Sequence, residues 1–254
     1  MAVLDRPVRM PRLAFLVAWQ LEELGEPHPV IGPNNYYMTD EFRTTLRQRS
    51  LDGLARLGLA SAGGVLTPDF RQTLTTIARP GREFYSWSNF PDRSEDDGAI
   101  LVAALGHDAV RLITDQRTVR LDPVPAERLC EHFVETLPDV PGADVRPLHV
   151  AATDFADPGG RREDDPFAEP DREAERLWEI MRADRDAAHQ LYAAARDGSG
   201  ARNRSLPISA VDLTARGRVL TYLDRDERGG RRINLFPGNR ENLLTSLGAT
   251  IDTL

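Results

Sequence analysis

The 254 residues, 41% hydrophobic and 28% charged, are enough for one large domain or two small ones with a substantial core, in the balance of a soluble globular protein. A net charge of −8 argues against a nucleic-acid partner, which needs a basic stripe, and no run approaches the roughly 18 apolar residues of a membrane span. Cys130 is the only cysteine and all 32 basic residues are arginine, which excludes an intramolecular disulfide, a cysteine zinc cage, a P-loop lysine and a Schiff-base lysine.

The opening stretch MAVLDRPVRMPRLAFLVAWQLEELG carries charge within and after its apolar part and lacks a signal peptide's uninterrupted apolar core, so a cytoplasmic protein without membrane insertion is expected. Pro11 can sit in a first helical turn. Leu13, Leu16, Val17, Leu21 and Leu24 then follow helical spacing up to Gly25. HPVIG (28–32) reads as a short edge strand. A second helix is expected from Thr39 to Leu57, with Phe42, Leu46, Leu54 and Leu57 on one stripe and Gly58 as its stop. A third follows Thr67 and Pro68, with Phe70, Leu74 and Ile77.

The period then changes. REFYSW (82–87), AILVAAL (99–105), AVRLIT (109–114) and TVRL (118–121) read as strands, and 125–137 as a helix with Leu129, Cys130, Phe133, Val134 and Leu137 on one face. A Pro/Gly/Asp-rich acidic connection over 150–170 reads as a mobile surface segment. A long helix is expected over 171–196, with Leu177, Ile180, Met181, Ala188, Leu191, Tyr192 and Ala195 near one stripe, broken by DGSGARN. Strands at 205–213, 217–224 and 231–236 lead to a last helix capped by Asn239 and presenting Leu243, Leu247 and Ile251.

Two stretches read alike, VRLDPVPAERLCEHFVETL from 119 and INLFPGNRENLLTSLGATI from 233, at an offset of 233 − 119 = 114. Leu121 then meets Leu235, Pro123 meets Pro237, Glu127 meets Glu241, and Leu129, Phe133 and Leu137 meet Leu243, Leu247 and Ile251. Strand–turn–helix is a common unit, so chance is the alternative to a repeat. The repeat implies an α+β protein in which two strand sets form one twisted sheet with a helical layer from each half, the halves spanning about 10–148 and 171–254 within one domain, 1–254.

Motifs for chemistry are absent: no glycine-rich nucleotide turn, no G-x-S-x-G elbow and no H-E-x-x-H occur. The five histidines are scattered, and His107 beside Asp108 reads as a turn pair. The acidic clusters DRSEDDG (92–98) and REDDPFAEPD (162–171) lack the calcium-loop pattern. The loop SNFPDRSEDDG (88–98) is long for a hairpin and sets Phe90 beside charge, an apolar anchor with a polar rim that suits partner recognition. The alternative is a hairpin tip with Phe90 folded inward. At this level three functions stand side by side: a protein-binding module, a non-catalytic structural or regulatory subunit, and a hydrolase or transferase using His107 and scattered acids.

Four stretches resemble one family when taken in order. They are WQLEELGEPHPVI, LRQRSLDGLARLGLASAGGVLTPDFRQTLTTIARP, GHDAVRL, and ARDGSGARNRSLPISAVDLTARGRVLTYL with its triplet Gly217, Arg218 and Val219. The chain resembles the EspG family, cytosolic chaperones of actinobacterial type VII secretion, over about residues 13–251. The resemblance implies a central antiparallel sheet, two helical bundles and quasi-two-fold symmetry. It implies no catalysis, cofactor or metal. The expected partner is a helical secreted client, a PPE-like protein, a PE–PPE-like heterodimer or another helical-hairpin substrate, whose hydrophobic tip the chaperone covers, and members of the family can self-associate when no client is bound. The client-binding elements would be the 88–98 loop and a C-terminal bundle of helices near 171–196 and 239–251, and the expected contact residues Ser88, Asn89, Phe90, Asp92, Glu95, Asp96, Asp97 and Arg218.

Overall fold

Alternation of burial along Val8–Pro11 (β1) turns Val8 and Met10 inward and Arg9 and Pro11 outward, and the strand lies at one edge of the sheet. The computed structural model describes residues 3–32, 39–115, 117–156, 171–225 and 229–254. Pro11, which has no N–H to satisfy, starts Arg12–Leu21 (α1), whose Phe15, Leu16, Ala18 and Trp19 are buried. HPVIG is not a strand. Its backbone hydrogen bonds close successive turns, Ile31 N–H to His28 O at 2.8 Å and Gly32 N–H to Pro29 O at 3.1 Å, while Val30 and Ile31 are buried beside α1. Pro29 could donate nothing to a ladder.

Thr39 caps Asp40–Arg56 (α2) by accepting the Phe42 N–H. The expected apolar stripe of this helix meets the core only from Ser50 and Leu54 onward, and Phe42 is 54% exposed. Pro68–Ala78 (α3) buries Phe70, Leu74 and Ile77 completely. Arg82–Asn89 (β2), Gly98–Leu105 (β3), Asp108–Thr114 (β4) and Thr118–Pro123 (β5) follow as a meander, and Leu129–Val134 (α4) closes the first half. The start of the connection expected to be mobile is ordered, as Leu148–Ala151 (β6) and Ala152–Ala156 (α5). Its remainder, 157–170, lies outside the described residues.

The helix expected over 171–196 divides in two. Arg172–Arg182 (α6), capped by Asp171, is helical, but Arg185–Arg196 (β7) is a strand in the middle of the sheet. Ala187, His189, Leu191 and Ala193 face one side and Tyr192 and Ala194 the other, all buried. A strand covered on both faces reads as a continuous apolar run, and pairing on both edges overrides the helix propensity of its alanines. Arg202–Arg204 (β8) pairs with the end of β7, and Ile208–Leu213 (β9), Gly217–Arg225 (β10) and Arg231–Pro237 (β11) complete the sheet. Arg240–Ile251 (α7) is capped by Asn239, which accepts the Asn242 N–H at 2.8 Å.

All named strands pair antiparallel, in the order β1-β5-β4-β3-β2-β7-β9-β10-β11-β6, with β8 off this path. The order reads the same from either end if β2 corresponds to β7, β3 to β9, β4 to β10, β5 to β11 and β1 to β6. The registers agree with this. Val8 and Met10 pair with Leu121 and Val119, and Leu148 and Val150 pair with Leu235 and Ile233. Adding 114 to 121 and 119 gives 235 and 233, the offset found in the sequence. Tyr85 pairs with Tyr192 across the centre, their rings stacked at 5.0 Å. One face of the sheet carries α1–α3 over the first half and α6 over the second, while α4 and α7 cover the other face.

The triplet Gly217, Arg218 and Val219 fixes where β10 meets the segment 138–143. Gly217 has φ +86°, and a Cβ there would stand 2.6 Å from Pro141 O. Arg218 N–H donates to Pro141 O at 2.7 Å, and Arg218 O accepts from Ala143 and Gly238. Gly217→Ala combines a left-handed backbone with a close approach and should cost about 2–4 kcal/mol, read as a lower urea midpoint at unchanged slope.

Candidate protein-binding site

The β2–β3 connection is held by its own polar groups. Asp97 accepts the Phe90 N–H at 2.7 Å and the Asn89 side-chain amide at 3.1 Å. Arg93 N–H donates to Phe90 O, Asp96 N–H donates to Arg93 O, and the Arg93 guanidinium pairs with Asp96 at 3.3 Å. These bonds make Ser94–Asp96 a 3₁₀ turn and the loop a defined projection. Asp92 and Glu95 are exposed on it and form no ion pair among the described residues.

Phe90 folds onto the sheet. Its ring meets the His189 imidazole edge-on at 5.8 Å, and the Arg93 guanidinium covers it at 5.4 Å, leaving the side chain half-buried. Beneath it a polar row crosses four strands, β2, β7, β9 and β10. Ser88 Oγ lies 2.8 Å from His189 Nδ1, and His189 Nε2 lies 3.3 Å from Asp212 Oδ2. Arg218 closes the row, with Nε and Nη2 donating to the two carboxylate oxygens of Asp212 at 2.5 and 3.0 Å, and Nη2 also donating to Pro138 O at 3.0 Å.

The row contains serine, histidine and aspartate, but not in a nucleophilic arrangement. The ring nitrogens are exchanged relative to a hydrolase triad, and Asp212 is engaged on both oxygens by Arg218. Neither Ser88 nor His189 lines the adjoining cavity, of about 380 Å³. Its walls combine Phe90, Pro138, Val140 and Leu213 with Arg93, Asp96, Asp186 and Asp212. Arg93 pairs with Asp96 and Arg218 with Asp212, so Asp186 leaves the lining net negative. His107 lies exposed on the β3–β4 turn, with Asp108 accepting a hydrogen bond from Gln72, at the opposite end of β3 from the Phe90 loop. Among the described residues no three His, Cys, Asp or Glu side chains are grouped to hold a metal.

Burial would raise the Asp212 carboxyl, but hydrogen bonds from His189 and Arg218, together with their charges, outweigh it and hold the group below its ordinary value. On the opposite face Glu83 behaves likewise: burial raises it, while His28 and Arg202 lower it further. Cys130 is pushed up to about 12 by burial and by Glu131, and is an unreactive packing thiol.

The eight expected contact residues therefore separate by place. Phe90, Asp92 and Glu95 present side chains at the loop surface, Asn89, Asp96 and Asp97 shape the loop, and Ser88 lies under it. Arg218 is 2% exposed and holds Asp212 rather than facing outward. His189 and Asp212, which tie these residues together, were not expected from the sequence. The signal for His189 was the period-two alternation of 187, 189, 191 and 193.

Fold and site define an α+β scaffold with a self-bonded loop over an acidic, partly apolar cleft, a class suited to binding. The sequence model of the EspG family matches residues 11–249, and the chain belongs to that family. The solved structure of the Mycobacterium tuberculosis type VII secretion system chaperone EspG5 in complex with the PE25–PPE41 dimer is similar over 98% of this chain and 96% of that one. Its TM-score is 0.71 at 14% sequence identity, a likeness of fold. No curated protein matches the sequence. No helix among the described residues is long and apolar enough to cross a membrane.

Proposed function

We propose that the chain is a cytoplasmic chaperone of type VII secretion that binds the hydrophobic helical tip of a PE–PPE-like substrate, keeps it soluble and directs it to export. The observation that carries this reading is membership of the EspG family over 11–249, and the EspG5 complex with PE25–PPE41 supports the client class. The site fits such a client on physical grounds. An exposed apolar tip aggregates unless covered, and Phe90 with the apolar cleft wall offers cover. The acidic lining and the free carboxylates of Asp92 and Glu95 select a basic or polar rim, so association should weaken with added salt. The work is binding alone and uses no cofactor. We read residues 1–254 as one domain of two related halves, able to self-associate when no client is present.

Co-expression with each PE–PPE-like pair encoded in the same genome tests the reading. One pair should become soluble and co-elute with the chain in a stoichiometric complex on gel filtration. If every pair stays insoluble or elutes apart, the chain is not their chaperone.

A further inference from the structure

At one edge of the sheet, away from the central strands β2 and β7 beside the Phe90 loop, β1 borders a cleft that the client reading does not use. It lies between β1, α1 and α2, has a volume of about 460 Å³, and its surface is mostly apolar, with Met10, Leu13, Leu46, Leu54 and Leu57. The apolar strip continues past Leu46 to Phe42, one turn earlier on α2; Phe42 is 54% and Leu13 38% exposed.

Three arginines, Arg9, Arg49 and Arg56, stand around this cleft and no carboxylate lines it, in a chain whose net charge is −8. Arg9 Nη2 donates to Thr118 Oγ1 at 3.3 Å, and its one carboxylate neighbour among the described residues, Asp115, stands 4.0 Å away. Arg49 and Arg56 form no ion pair among the described residues, and Arg56 Nε donates to the Asp52 carbonyl at 3.3 Å. The backbone adds a second feature. Arg12 N–H donates to Arg117 O at 2.8 Å, in register with Val8 opposite Leu121. Residues 8, 10 and 12 therefore occupy the hydrogen-bonded pairs with β5, and the N–H and C=O of Arg9 point out from the open edge.

We infer that this cleft docks an extended, acidic segment of a second protein partner, which adds to the β1 edge through the Arg9 backbone, seats apolar side chains on the cleft floor and sets carboxylates against Arg9, Arg49 and Arg56. Arg49 and Arg56 are seven residues apart on one helix, about 10 Å of rise, the span of about three residues of extended chain. A single anionic head group does not match that spacing, and only another backbone can use the free edge. The Phe90 loop is separate from this cleft, so a client and the second partner can be held together. The inference is independent of the client's identity.

Random peptides displayed on phage and selected against the intact protein test it, with the selected peptides then synthesised with a fluorescein label and measured by anisotropy. Enrichment of Asp and Glu around spaced apolar residues is expected. Two variants locate the site. At Gly53 an added Cβ meets nothing closer than Arg56 Nη2 at 4.0 Å, so Gly53→Leu fills the cleft, and removing a helix-interior glycine leaves the melting temperature unchanged or higher. The pair Arg49→Glu and Arg56→Glu reverses the rim without touching the core. Each should weaken the peptide about tenfold or more. Selection of no peptide or of basic peptides overturns the proposal, as does full affinity in both variants. Palmitate binding that Gly53→Leu abolishes, without acidic-peptide binding, would reassign the cleft to a lipid and also overturn it.

Discussion

Asp212→Ala is expected to lower stability by about 3–5 kcal/mol, because it leaves the Arg218 guanidinium, 2% exposed, without its counter-charge. The cost extends beyond one ion pair. Asp212 also holds His189, which in turn contacts Ser88 and the Phe90 ring, so loosening should spread to the β2–β3 loop. Urea unfolding followed by far-UV circular dichroism reads the loss. Combining Asp212→Leu with Arg218→Met should recover part of it, since an apolar pair leaves no buried charge unmatched. A variant as stable as the parent would mean that solvent reaches the pair. The same group predicts a pH dependence. Its folded carboxyl lies below the ordinary aspartate value of 3.8, so its contribution is complete above that value and is lost as pH falls through the lower folded one. Glu83, also lowered, adds to the same acid limb from 4.5 downward. Asp212→Ala should flatten that limb without abolishing it.

The repeat was legible because it lies in residues whose burial follows local pattern. Leu121, Leu129 and Phe133, and their counterparts Leu235, Leu243 and Leu247, are all core, and the 114-residue offset survives as strand register. Segments governed by tertiary pairing were not legible. Residues 185–196 carry five alanines with Leu191 and Tyr192, as good a helix face as a strand covered on both sides, and only the neighbours β2 and β9 decide. The apolar residues of HPVIG are buried, but Pro29 and Gly32 close turns in place of the expected edge strand. At the site, the Phe90 loop stood out by composition, whereas the row beneath it joins residues 88, 189, 212 and 218 from four strands, a spacing no local pattern encodes.

The two halves differ most where function is proposed. The β2–β3 connection is a self-bonded loop carrying Phe90, while the corresponding β7–β9 connection is longer still and contains β8, turned back against β7 through Arg204 opposite Ala194. A duplicated framework thus keeps its strand-to-helix joints as core and leaves one central hairpin free to project. The charged row Ser88–His189–Asp212–Arg218 fixes that hairpin's base to both halves of the sheet, which limits how far the loop must be ordered on binding and so lowers the entropic cost of association.

Phe90→Ala should therefore weaken client binding far more than it weakens the fold. A half-buried aromatic at the wall of the cleft has the placement of an interface anchor, and its truncation is expected to cost about 2 kcal/mol or more of binding, roughly a thirtyfold rise in Kd by calorimetry with a purified PE–PPE-like pair. Stability should fall by only about 1 kcal/mol, because Phe90 meets His189 and Arg93 on one side and the cleft on the other. The neighbouring acids give contrasting controls. Glu95→Gln removes an exposed, unpaired charge and should mainly reduce the salt dependence of association. Asp97→Ala removes the acceptor of the Phe90 N–H and of the Asn89 amide, so it should disturb the loop before any partner arrives, visible as faster amide exchange at Phe90. If Phe90→Ala binds as the parent does, the anchor lies elsewhere on the cleft. If its melting temperature falls in step with its affinity, Phe90 is a packing residue whose loss acts through the fold.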